Sequence, residues 1–231
     1  MRIDLDSVAL GSGVGASVPP LTLSVSDGAP AVITVETAER PMLVSLLLAG
    51  RLRPDTGRVT VDGTPDLDEL RTRSALVDTP VVAEPTPGLA LAGIVAEEFS
   101  FAGLPASRSA VRGFLEDHGL ADYAREPIRV LPPTARVRLF SELALLRPGV
   151  DFLIITSPER HGGEPAEWFD ALAAIGERGT AIAIVTDAAT SDILLRLGAR
   201  DATIPIEPPT VEPLDLPVST APETSSSESA S

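Results

Sequence analysis

A chain of 231 residues with 44% hydrophobic content can build one large domain or two small ones around a real core. Its 18 basic and 33 acidic residues leave a net charge of −15, which repels phosphate backbones and anionic lipid and argues against nucleic acid as a partner. It has no cysteine, and every basic residue is arginine. This excludes disulfides, thiolate nucleophiles, thiolate metal sites, Schiff bases and any lysine reaching for a phosphate.

The first residues alternate charged and apolar, so 2–9 read as a strand and not as a leader peptide. Gly11-Ser-Gly-Val-Gly15 is a turn, because no helix or basic residue follows it. Leu21–Val25 and Ala31–Val35 read as strands around the turn 26–30. Residues 42–49 read as a helix apolar on nearly every side, entered through Pro41 and stopped by Gly50, and therefore buried. Residues 58–63 form a strand and a turn. Helices are expected at 90–101, at 107–118 (capped by Ser107) and at 134–146. An α/β rhythm follows: strand 152–155, helix 165–175, strand 181–185, helix 191–197 and strand 202–206. Continuous apolar strands between helices imply a parallel sheet covered on both faces, with a helical insertion at about 80–148. From Glu207 on there are five prolines, five acidic residues and no basic one, so 207–231 read as a disordered acidic tail. The apolar runs are too short to span a bilayer, so no direct membrane insertion is expected.

Three strings carry a resemblance. Leu47-Leu-Ala-Gly-Arg-Leu-Arg-Pro-Asp-Thr-Gly-Arg-Val-Thr-Val-Asp-Gly63 is similar to the stretch after the phosphate loop of ABC transporter ATP-binding cassettes. Phe114–Tyr123 resembles the family's approach to its signature, and Arg136–Pro148 the helix after it. The order of pieces fits over about 1–204, within a folded domain expected to span 1–206. The resemblance implies an α/β fold of the P-loop NTPase kind: an ABC cassette core with N-terminal antiparallel strands and an inserted helical subdomain.

The same register empties the family's catalytic positions. The phosphate loop falls on 35–43, with Val35, Glu36, Ala38, Glu39, Arg40, Pro41 and Met42 among them and no glycine left to turn backbone N–H groups toward phosphate. Pro41 stands at the lysine position and Met42 at that of the magnesium-binding hydroxyl. The Walker B pair falls on Thr156 and Ser157, neither a carboxylate. The signature falls on Leu131–Ala135, the switch histidine on Asp187, the D-loop aspartate on Gly163 and the Q-loop glutamine near Thr79. No aromatic precedes Phe99 to stack on adenine.

Glu36 and Glu39 read either as a cap or solvated turn or, for Glu39, as an occupant of the anion site at the helix head. His118 reads as a half-buried helix-end histidine, and Trp168 and Phe169 as core. These residues name no catalytic set, no metal site and no cofactor. The expectation is a pseudo-ATPase, cytoplasmic or peripheral at the inner face of the cell membrane, partnering a membrane permease, an active ABC ATPase subunit or both. The apolar faces at 90–101 and 107–115 are where a partner is expected. One alternative is an active ABC ATPase with unusual motifs, using ATP and magnesium. The other is a small-molecule enzyme on an α/β fold, working through Ser157 and His161.

Overall fold

The structure, a computed structural model, describes residues 1–36 and 39–204. It contains two sheets. The first is antiparallel, order β2–β1–β4, formed by β1 (Arg2–Leu10), β2 (Val18–Ser26) and β4 (Thr56–Val61). The second is parallel, order β5–β6–β7–β3–β8, formed by β3 (Ala31–Thr34), β5 (Ser74–Val77), β6 (Phe152–Thr156), β7 (Ala181–Thr186) and β8 (Arg200–Asp201). Both cover the expected α/β class with antiparallel N-terminal strands.

The inner parallel strands β3, β6 and β7 are mostly apolar because each face meets its own core. Phe152, Ile154, Ala181, Ala183, Val185 and Ile33 pack with the antiparallel sheet and the buried side of α1 (Arg40–Leu48). Leu153, Ile155, Ile182, Ile184 and Val32 face the other way, toward α5 (Pro133–Leu145) and α6 (Pro165–Gly176). Trp168 and Phe169 lie in that second core, as expected. At about 25 cal/mol per Å² of apolar surface, such double-sided burial dominates the favourable folding energy. Three helices stand between β5 and β6: α3 (Leu91–Phe101), α4 (Arg108–Asp117) and α5.

Boundaries moved where capping decides them. α1 starts at Arg40, with Pro41 in its first turn, and ends where Gly50 takes φ +64°, accepted there because it lacks a Cβ. A Cβ on Gly50 would stand 2.8 Å from the carbonyl oxygen of Leu67. α7 (Ala188–Arg196) begins three residues earlier than the apolar pattern predicts, since the Asp187 side chain caps it by accepting from the N–H of Thr190 at 2.7 Å. β8 lies two residues ahead of its predicted start. The predicted strand's last two residues, and the tail 207–231, lie outside the described residues.

Two elements had no sequence expectation: α2 (Leu67–Arg73) and β5. α2 buries only Leu70, and β5 is four residues long, so neither shows a period. Among the described residues no helix is long and apolar enough to cross a membrane.

Candidate functional site

The five parallel strands end on one edge, where ligands collect in open α/β sheets. α1 starts at this edge after β3, as a phosphate-binding helix would. Glu39 is its N-cap residue, but the side chain makes no cap hydrogen bond and is exposed. The solvated-turn reading of Glu39 therefore holds over the anion-site reading. Arg40 turns away: its guanidinium donates to the carbonyls of Ser17 (2.8 Å) and Ala16 (3.3 Å) in the β1–β2 connection. Ala38 lies outside the described residues.

Behind the head of α1, three hydroxyls close on one another. Ser45 donates to the Pro41 carbonyl (2.8 Å), which uses its only proton. Thr156, 2.8 Å from Ser45, must then donate to it, and Thr79, 2.8 Å from Thr156, must donate to Thr156. The chain Thr79→Thr156→Ser45→Pro41 carbonyl satisfies every proton with all three residues buried. Thr156 and Thr79 were singled out in the sequence; Ser45 was not. Its signal was a hydroxyl in a helix otherwise apolar on all sides.

Beside this chain lies an open cavity of about 680 Å³, lined by Val35, Glu36, Pro41, Ser157, Glu159 and Asp187 among others. Met42 and Glu39 do not line it. The Glu159 side chain accepts from Thr186 Oγ1 at 2.7 Å. Burial pushes the Glu159 carboxyl above the usual range and Asp187 adds to the rise, while the Thr186 bond and Arg160 oppose it. One arginine, Arg160, faces three carboxylates here.

The other half of the edge is a salt-bridge hub built on Asp78, which follows β5 with φ +51°. Asp78 is 7% exposed and is gripped bidentately by Arg136 of α5, itself 5% exposed, at 2.6 and 2.8 Å. Arg160 reaches Asp78 Oδ1 (3.2 Å) and Glu84 (3.4 Å) and donates to the Thr156 carbonyl at 2.7 Å, bracing two strand ends together. Burial would raise the Asp78 carboxyl, but Arg136, His161 and Arg160 hold it below its ordinary value. The sequence reading missed this hub. Arg136, Phe140 and Leu143 share one face of α5, and a charge on that face was the available signal for a buried partner.

His161 Nε2 lies 2.9 Å from Asp78 Oδ2, without hydrogen-bond alignment. It is not hydrogen-bonded to Ser157, whose backbone N–H donates to Val185 at φ +47°. A Ser157–His161 nucleophile pair is therefore absent from this geometry. Donor atoms of Asp78, Glu84 and His161 lie within 4.8 Å of one another. A cation there would have to displace Arg160 from both carboxylates, so the donor set does not fit a resident metal. His118 is half-buried at the end of α4, with Nδ1 2.7 Å from the Phe114 carbonyl, as read. The signature position opens α5 without a side-chain cap, and Pro133 lies against Gly163.

A second concavity, of about 390 Å³, lies where the helical insertion meets the sheet. It is lined by Val82, Phe101 and Ile94 with Arg51, Glu98 and Arg147, and Phe101 is 64% exposed.

The sequence matches no protein-family model and no curated protein. In structure it is similar to an ABC transporter ATP-binding protein from Pyrococcus furiosus, with TM-score 0.60 and 11% identity over 81% of this chain and 92% of that one. It is also similar to a nucleotide-free ATP-binding cassette from an ABC transporter (TM-score 0.59, 16% identity, 85% of each chain). A third is cbiO1 from Clostridium perfringens, part of the ABC transporter complex cbiONQ (TM-score 0.57, 16% identity, 80% of this chain and 77% of that one). Identities this low speak for architecture alone, and on that ground the chain has the fold of ABC transporter ATP-binding cassettes.

Proposed function

We propose that this chain is a pseudo-ATPase, a cassette-fold subunit that supplies shape to a transporter and leaves hydrolysis to another subunit. One observation carries the reading: the cavity at the head of α1 presents Glu36, Glu159 and Asp187 around Pro41, where a polyphosphate needs amide donors and a cation. Like charges about 4 Å apart repel by about 1 kcal/mol in water and about 4 kcal/mol at a partly buried site, and the single Arg160 does not offset three carboxylates against an incoming triphosphate. The closed hydroxyl chain adds to this, since Thr156 already accepts from Thr79 and has no carboxylate charge to accept from the waters of a hydrated magnesium ion.

The partner is a membrane permease, an active ABC ATPase, or both, and the subunit sits at the inner face of the membrane. The concavity between insertion and sheet, with Phe101 exposed at its edge, supports a protein contact there. Coexpression with a polytopic membrane subunit should give a copurifying complex that Phe101→Glu disrupts.

A second reading rests on Glu159. A carboxylate at a strand end with a raised pKa has the character of a general base. If the chain is an active ATPase, purified protein releases phosphate from ATP with magnesium and Glu159→Gln stops it. The pseudo-ATPase reading predicts phosphate release at the buffer rate in both proteins.

A further inference from the structure

On the far side of α3 from the Phe101 concavity, α3 and α4 enclose another cavity, of about 730 Å³. Its floor is apolar and mostly small: Ala92 and Ala96 from α3, Val111 and Leu115 from α4. Its rim carries Arg108, Arg112 and Arg125 against one carboxylate, Glu116. Arg112 is taken by Glu116 at 2.7 Å. Among the described residues no carboxylate pairs with Arg108 or Arg125, and both are exposed. In a chain of net charge −15, a cavity with a positive rim is an exception that calls for an anionic occupant.

The chain carries such an occupant beyond its last described residue. Val211-Glu-Pro-Leu-Asp-Leu-Pro-Val218 alternates apolar and acidic side chains, and the whole of 207–231 has no basic residue to oppose the match. Small floor residues leave room for Leu214 and Leu216, and the two unpaired guanidiniums suit Glu212 and Asp215. Prolines at 213 and 217 reduce the backbone entropy lost on docking. Crossing from β8 to β5 takes four strand spacings, about 19 Å. At about 3.4 Å per residue, the chain from Ile204 to Val218 can span at most about 48 Å, which leaves length for the further step from β5 to the insertion. β8 runs parallel to β5, so the chain leaves on the edge from which the insertion departs.

We infer that the Arg108–Arg125 cavity of the helical insertion is the docking site for this chain's own acidic segment 211–218. The segment thereby covers the insertion's apolar face on the side away from the Phe101 concavity.

The absence of cysteine makes the test clean. Ser219→Cys in the full chain takes one nitroxide label, and amide spectra of the isotope-labelled protein report what lies near it. The expected result is loss of amide intensity at Ala92, Ala96, Val111 and Ala124. The intensity returns in the Arg108→Gln/Arg125→Gln double variant, whose unchanged spectrum elsewhere shows that it folds. It also returns in 1 M salt, where the screening length is about 3 Å. Unperturbed amides in the cavity, or losses centred on Phe101, would overturn the assignment. A spin-labelled chain mixed with an isotope-labelled, nitroxide-free chain decides the source. Losses seen in that mixture identify a second copy as the occupant and overturn docking within one chain.

Discussion

Two carboxylates stand on the same edge of the sheet and have opposite fates. Asp78 is buried and met by Arg136, Arg160 and His161, so its charge is held. Glu159 is half-buried and met by one hydroxyl, with Asp187 nearby, so its charge is resisted. The difference shows how this edge is organised. Its β5 side is sealed by cationic side chains reaching in from the insertion and the β6 loop, and its β3–β7 side is left open and acidic. The sealed half is structural cement, and the open half is where a nucleotide would have to enter.

The largest test of this contrast is Arg136→Met. Removing one partner leaves Asp78 buried with too little compensation, and chemical denaturation should show a loss of about 3–5 kcal/mol. A loss below 1 kcal/mol would show that Arg160 and His161 suffice. Next is Thr156→Val, which breaks the hydroxyl chain and strands the Thr79 proton at a cost of about 1–3 kcal/mol. Thr156→Ser keeps the chain and should recover most of that loss. Asp66→Ala removes the side chain that accepts from Asp68 and Glu69 at the start of α2, and should cost about 1 kcal/mol at a site remote from both carboxylates.

The smallest effect concerns pH, and its sign differs between the two halves. The folded pKa of Asp78 is depressed, so its contribution is complete above the unfolded carboxylate pKa and is lost as pH falls through the folded value. The folded pKa of Glu159 is raised, so stability linked to its protonated form is present at acid pH and is lost as pH rises through the folded value. Glu159→Gln should therefore raise the melting temperature at pH 7 and change it little at pH 4. Equal shifts at both pH values would show that desolvation of Glu159 is not the cause.

The architecture was legible because it rests on local patterns. The apolar strands 152–155 and 181–185, the greasy helix before Gly50 and the Ser107 cap each declare themselves within a few residues. The open half of the edge was legible through the register of a family resemblance, which singled out Glu36, Pro41, Ser157 and Asp187, all of which line its cavity. The sealed half and the hydroxyl chain behind α1 were hidden because their partners are far apart in sequence. Arg136 reaches Asp78 across 58 residues, and Thr156 meets Ser45 across 111. Nothing in residue spacing encodes such pairings. Asp187 shows a further limit: read as a lost switch residue, it is also the cap of α7. Glu159 was not legible because its burial and its Thr186 partner, 27 residues on, are set by the fold.

The central claim, that the head of α1 does not hold a triphosphate, is tested most directly by titrating the purified full chain with ATP and magnesium while following its melting temperature. A ligand at 100 times its dissociation constant adds about 2.7 kcal/mol of stability, well within detection. The account predicts a melting temperature unchanged up to millimolar ATP. A stabilisation that grows with the logarithm of ATP concentration would contradict it.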